Sequence, residues 1–239
     1  MILVSLFALV LILIGQTQSA LAMREMPSLP HSLTDDEWKI VNSGQYVVKK
    51  KKMKDSAWPE LTIYTTIDAT PQECMAIYAA FDHQKNYVPN LLKSDVIKVV
   101  DATTVHTAYE MDLPWPLSTS KYIHGTHLDP ENNGIYSLSW FLVESDVSER
   151  VQGKSYFFPP KNPLIPQAQK TLWVYQSFID PKSLLAGIFK NTMVSDVTAS
   201  LDAIKKEIIR ARDQDPKLMQ KYIKILEDSL KNIPSYMTR

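Results

Sequence analysis

The chain has 239 residues, and its 26 lysines and arginines balance 26 aspartates and glutamates. That balance leaves no basic field to hold a nucleic-acid backbone, which excludes nucleic-acid binding as a function class. The single cysteine, Cys74, cannot form an internal disulfide, so an apolar core must hold the fold.

Residues 2–14 are apolar apart from Ser5, and Ala20-Leu21-Ala22 follows. The run is too short to span a bilayer comfortably. With its small-residue site it reads as a secretory signal peptide, residues 1–22, cut after Ala22. No Lys or Arg precedes the run, which leaves an uncleaved N-terminal anchor as the alternative. An exported chain without disulfides suits a bacterial periplasm.

Residues 23–32 form a short proline-containing lead. Thr34 and Glu37 then make a capping box for a short helix carrying Trp38, Ile40 and Val41, and Gly44 ends it. Residues 45–54 read as a strand running into Lys49, Lys50, Lys51 and Lys52. Lysines at that density suit a charge-protected edge strand; the alternative is a patch for anionic lipid headgroups. Trp58-Pro59 turns the chain into a second strand, residues 61–68. Thr70, Pro71 and Glu73 signal another helix start, with Cys74 as a small buried hydrophobe beside Met75 and Ile77. A second short helix is expected from Phe81 through Tyr87, stopped by Pro89-Asn90.

Six strands follow, over residues 94–100, 103–111, 121–128, 135–143, 150–158 and 171–179. Pro114 and Pro116 stiffen the connector after the second of these. Asn132-Asn133-Gly134 marks a turn, and residues 159–169 form a long proline-laden loop. After Asp180-Pro181 a long helix is expected to Arg212. Leu185, Phe189, Met193, Val197, Leu201, Ile204 and Ile208 recur at steps of three and four and form one apolar stripe. Asp215 and Pro216 start a last helix, residues 216–231, within a C-terminal extension, residues 213–239. Strands with helices segregated to one side argue an α+β fold, a curved antiparallel sheet with the long helix laid across it.

This order of elements resembles a START domain, the lipid-binding helix-grip fold related to Bet v 1 and the polyketide cyclases, over residues 33–212. The resemblance rests on an ordered set of segments. They are Glu37-Trp38-Lys39, Ile67-Asp68-Ala69-Thr70-Pro71, Phe81-Asp82 with Tyr87-Val88-Pro89, Leu113-Pro114-Trp115-Pro116-Leu117-Ser118, Phe178-Ile179-Asp180-Pro181, and the long helix. Many relatives carry an Arg-Asp pair just after the Pro-x-Pro-x-Ser stretch; this chain has Thr119-Ser120-Lys121-Tyr122, so no role of that pair carries over. The resemblance implies a cavity between sheet and helix and one hydrophobic small molecule or lipid as ligand; transient membrane contact is read from the long loop of residues 159–169.

Enzyme signatures are absent: no G-x-S-x-G, H-E-x-x-H, C-x-x-C or Gly-rich phosphate loop occurs. No cofactor or metal is expected. His124 and His127 are an odd number of residues apart on a strand, so they face opposite sides and cannot share a metal. These two and His106 are assigned to solvent-facing or hydrogen-bonded structural roles. The expected cavity lining is Tyr109, Met111, Trp140, Trp173 and Tyr175 from the strands and Phe189, Met193 and Val197 from the helix. Asp196 and Ser200 lie beside the stripe. In the long loop, Leu164 and Ile165 between two prolines are expected to gate the cavity mouth and dip into a bilayer. The leading function is an exported, non-enzymatic lipid-binding or lipid-transfer protein. The alternatives are a cyclase- or aromatase-like enzyme using Asp196 or a histidine in the same cavity, and an envelope protein with a filled cavity that binds a partner. The oligomeric state is not set by the sequence.

Overall fold

Both anticipated capping boxes start helices. Thr34 accepts from the Glu37 backbone N–H at 3.3 Å while the Glu37 carboxylate accepts from Thr34 N–H at 2.9 Å. Thr70 and Glu73 repeat the exchange at 3.2 and 2.8 Å. These caps satisfy N–H groups that a helix start leaves without partners. The computed structural model describes residues 29–56, 58–113, 119–182 and 192–238. The expected signal peptide, the Pro114–Pro116 connector and Phe189 lie outside the described residues.

Four α-helices are described: α1 (Asp35–Asn42), α2 (Pro71–Tyr78), α3 (Met193–Gln214) and α4 (Pro216–Leu230). The strands are β1 (Val47–Lys51), β2 (Glu60–Ile67), β3 (Leu91–Val99), β4 (Thr104–Asp112), β5 (Thr119–Leu128), β6 (Tyr136–Ser145), β7 (Ser148–Phe158) and β8 (Thr171–Pro181). They build one antiparallel sheet in the order β1-β2-β8-β7-β6-β5-β4-β3. The last strand pairs with the second, which brings the chain back to the middle of the sheet just before α3. The fold is α+β of the helix-grip kind, as expected. The lysine-rich β1 is an edge strand, where charge discourages further pairing.

Alternation along each strand separates two apolar regions. On β8, Trp173 belongs to the main core under α2, α3 and α4, while Leu172 and Val174 belong to a second cluster on the opposite face. That second face is covered by α1, through Trp38 and Val41, and by the loop between β7 and β8. The C-terminal helix α4 joins the main core through Met219, Tyr222 and Leu226, and Tyr236 beyond it donates from its buried hydroxyl to Ala79 O at 3.2 Å. A polar knot ties α3 to the segment after α2. Glu207 sits 2.7 Å from the His83 ring and accepts two bonds from Arg210 at 2.7 and 2.6 Å. Burial works against the Glu207 carboxylate, but the bonds from Arg210 and His83 outweigh it and hold its pKa below the usual carboxylate value.

Three expectations need correction. The helix expected from Phe81 to Tyr87 is a single 3₁₀ turn, Gln84–Asn86. Side chains compete for its backbone: Gln84 donates to Tyr78 O at 2.9 Å, and Ser94 Oγ takes the Lys85 N–H at 3.0 Å. β8 does not stop at Ile179. Arg150 on β7 bonds Asp180 at 3.0 and 2.6 Å, and Pro181 pairs with Ser148, so the strand runs two residues further. The long helix is described over Met193–Gln214, and residues 183–191, where its start is expected, lie outside the described residues.

The third correction concerns the loop of residues 159–169. Asn42, at the end of α1, holds it on the outer face by donating to Gln167 O at 2.9 Å and accepting from Gln169 N–H at 3.2 Å. Ile165 is 2% exposed and packs in the outer cluster with Trp38, Val41 and Leu172; Leu164 stays 46% exposed. Neither lines the cavity, and Ile165 is a plug under α1 rather than a gate. Ile165→Val is expected to cost about 0.5–1.5 kcal/mol. Leu164→Ala should change stability by less than about 0.5 kcal/mol. Urea unfolding of the two variants checks this, and equal effects would contradict the placement.

Candidate functional site

Inward side chains at period two bring four strands to one cavity, and a fifth, β3, adds Leu91 at its start. Tyr109 and Met111 come from β4, Tyr122, His124 and Thr126 from β5, Leu138 and Trp140 from β6, and Tyr175 and Ile179 from β8. Tyr78, Phe81, Gln84 and Val88 close one end from α2 and the turn after it. Across the sheet, Met193, Val197, Leu201 and Ile204 of α3 supply the apolar lid, with Asp196 and Ser200 beside them. The cavity volume is about 370 Å³, within the range of roughly 300–1,000 Å³ that small-molecule sites occupy.

Two ring systems form its walls. Trp140 lies across β7 to stack on Tyr175, with ring centroids 5.3 Å apart and planes 29° apart. It can do so because its partner on β7 is Gly153, where an added Cβ would sit 2.0 Å from the Trp140 ring. Glycine inside a strand marks this kind of close approach. The second system is Tyr109, stacked on Tyr122 at 5.2 Å, with the His124 ring 4.7 Å from Tyr122 and 5.5 Å from Tyr109.

Most of the polar groups here are neutral. Burial pushes the phenols of Tyr109, Tyr122 and Tyr175 up and pushes the His124 imidazole down to about 4. His124 is therefore uncharged at neutral pH. Tyr109 donates to Gln84 Oε1 at 3.0 Å, which fixes both groups. Among the described lining residues there is no lysine or arginine. Asp196 is exposed on the first turn of α3, so it is not the buried carboxylate that would require a partner. Among the described residues no group of His, Cys, Asp and Glu side chains could hold a metal ion.

Of the residues singled out from sequence, Tyr109, Met111, Trp140, Tyr175, Met193, Asp196, Val197 and Ser200 line this cavity. Trp173 does not. It shares the inner face but is fully buried, stacked on Phe157 at 5.2 Å, with its indole N–H donated to Ser155 Oγ at 3.1 Å. It is solid core. Leu164 and Ile165 lie on the other face of the sheet, and Phe189 is outside the described residues. Sequence reasoning placed His124 elsewhere, in a structural role. Its signal was its step of two from Tyr122, masked because Ile123, which points outward, is the more apolar residue. His127 does face the opposite side, where Thr104 Oγ1 lies 2.9 Å from its ring.

No protein-family model matches the sequence, and no curated protein matches it. Solved structures do. The chain is similar to a fragment of the STAR-related lipid transfer protein from Xanthomonas axonopodis, at 16% identity over 68% of this chain and 93% of that one, with a TM-score of 0.59. The human StAR-related lipid transfer protein 5 matches at 11% identity over 71% of this chain and 84% of that one, with a TM-score of 0.59. The Zhui aromatase/cyclase from Streptomyces sp. R1128 matches at 12% identity over 65% of this chain and 96% of that one, with a TM-score of 0.54. Likeness at these identities shows the fold alone, since one fold serves many functions. The chain has the START helix-grip fold that its sequence resembles.

Proposed function

We propose that this protein holds one hydrophobic small molecule or lipid, without covalent chemistry, in the cavity between the sheet and α3. After export to the periplasm, with residues 1–22 as its signal peptide, it carries that molecule to or from a membrane surface. The observation that carries this reading is the cavity itself, about 370 Å³ and walled by paired aromatic rings and the apolar stripe of α3. Lipid-transfer proteins among the structural neighbours support it. Among the described residues no helix is long and apolar enough to cross a membrane.

The aromatase/cyclase reading draws on one neighbour and on His124 in the cavity. Its weakness is chemical. A general base works best with a pKa near the operating pH, and burial holds His124 at about 4. Among the described residues no carboxylate orients the ring.

Native mass spectrometry of protein purified without detergent tests the proposal. The expected result is a non-covalent adduct of one hydrophobic molecule, or uptake of one equivalent of Nile red by the empty protein. A protein that is empty and takes up no probe would overturn the proposal, and turnover of a bound polyketide would favour the enzyme.

A further inference from the structure

We infer that the ligand is uncharged and carries a hydroxyl or carbonyl oxygen, which His124 and Tyr122 hydrogen-bond inside the cavity. The inference rests on the binding reading above and narrows its ligand class.

Hydrogen-bonding capacity at this end of the cavity exceeds what the protein satisfies. Tyr109 and Gln84 are committed: the phenol donates to Gln84 Oε1 at 3.0 Å, and the amide donates to Tyr78 O at 2.9 Å. Tyr122 and His124 are held in place by ring contacts, 4.7 Å from each other and packed on Tyr109. Among the described residues no protein group hydrogen-bonds the Tyr122 hydroxyl or the His124 nitrogens, and both side chains line the cavity. Both side chains are half-buried and open on the cavity, so a ligand that fills it takes the place of water at these groups and must offer an oxygen in return.

The charge pattern sets the kind of oxygen. No lysine or arginine is among the described lining residues, and the one lining carboxylate, Asp196, stands exposed on α3. His124 is neutral because burial pushes its pKa down to about 4. Among the described lining residues a carboxylate or phosphate would meet no counter-charge, and losing its hydration without one is costly. A neutral imidazole offers one donor and one acceptor, and a phenol offers both. A hydroxyl can engage either role, and a carbonyl can take the donors.

Three matched fluorescent probes test this on the mature chain at pH 7.5: 1-pyrenebutanol, 1-butylpyrene and 1-pyrenebutyrate. They share one apolar body and end in a hydroxyl, a methyl and a carboxylate. Pyrenebutanol is expected to bind roughly tenfold tighter than butylpyrene, the scale of one or two neutral hydrogen bonds. Pyrenebutyrate should bind at least as weakly as butylpyrene. His124→Phe with Tyr122→Phe should remove the difference between pyrenebutanol and butylpyrene, both measured on that variant, whose folding is checked by circular dichroism and thermal melting. Pyrenebutyrate binding as tightly as the alcohol, or an alcohol preference that survives the double variant, would overturn the inference while leaving the binding function intact. Failure of all three probes to bind would overturn the binding function itself.

Discussion

Trp173→Ala is expected to destabilise the protein by about 3–5 kcal/mol. The indole is fully buried, stacks on Phe157 at 5.2 Å and meets Tyr78 edge-on at 5.3 Å. Its removal leaves a cavity in the middle of the sheet and takes away the indole N–H that the Ser155 hydroxyl now accepts at 3.1 Å. Trp140→Ala is the control, of the same residue type on the same sheet face. Trp140 already borders open volume, so truncation enlarges a cavity rather than creating one. Its cost should be about 1–2 kcal/mol, below the usual range for buried tryptophan. Ligand binding should respond in the opposite order: Trp140→Ala weakens Nile red uptake, and Trp173→Ala leaves the affinity of the remaining folded protein close to normal. Urea unfolding and probe titration of both variants measure the two quantities. Equal stability losses would mean that the cavity is not open where Trp140 lies.

That contrast shows what the sequence could and could not convey. Period-two alternation put Trp173 and Tyr175 on one face, and the faces are as expected. Depth along the strand is not encoded in alternation. Trp173 falls where Phe157 and Tyr78 close over it, and Tyr175, two residues on, falls where they no longer do. The capping signals Thr34-Glu37 and Thr70-Glu73 were legible because each is a contact between residues three apart. The loop holding Ile165 was not, because its position depends on Asn42, 125 residues away from Gln167 in the chain. A pair of apolar residues between prolines reads the same whether it faces a membrane or the underside of α1. His124 failed for a third reason. Its strand carries polar residues on the inner face and the apolar Ile123 on the outer one, so hydrophobicity points the wrong way. That inversion is expected where a site needs polar groups inside.

Gly153→Ala is expected to damage both folding and binding. An added Cβ would stand 2.0 and 2.3 Å from two Trp140 ring atoms and 2.5 Å from Gln176 O. No contact that close can persist. The Gln176 carbonyl belongs to the backbone of β8 and yields little, whereas the Trp140 ring can swing away. It would then leave its stack on Tyr175 and move toward the cavity that it now walls. Overpacking of this kind costs about 1–3 kcal/mol. Because the displaced indole would occupy ligand space, Nile red affinity should fall at least tenfold. The mechanism makes a further demand that simple strand weakening does not. In a Trp140→Ala background the ring is gone, so Gly153→Ala should lose most of its effect on binding and keep the part of its stability cost owed to Gln176 O. A double-mutant cycle measures this as a coupling between the two positions of roughly 1 kcal/mol. Additive losses in both stability and affinity would show that Gly153 is not what lets Trp140 lie flat, and would remove the reason for a glycine in the middle of β7.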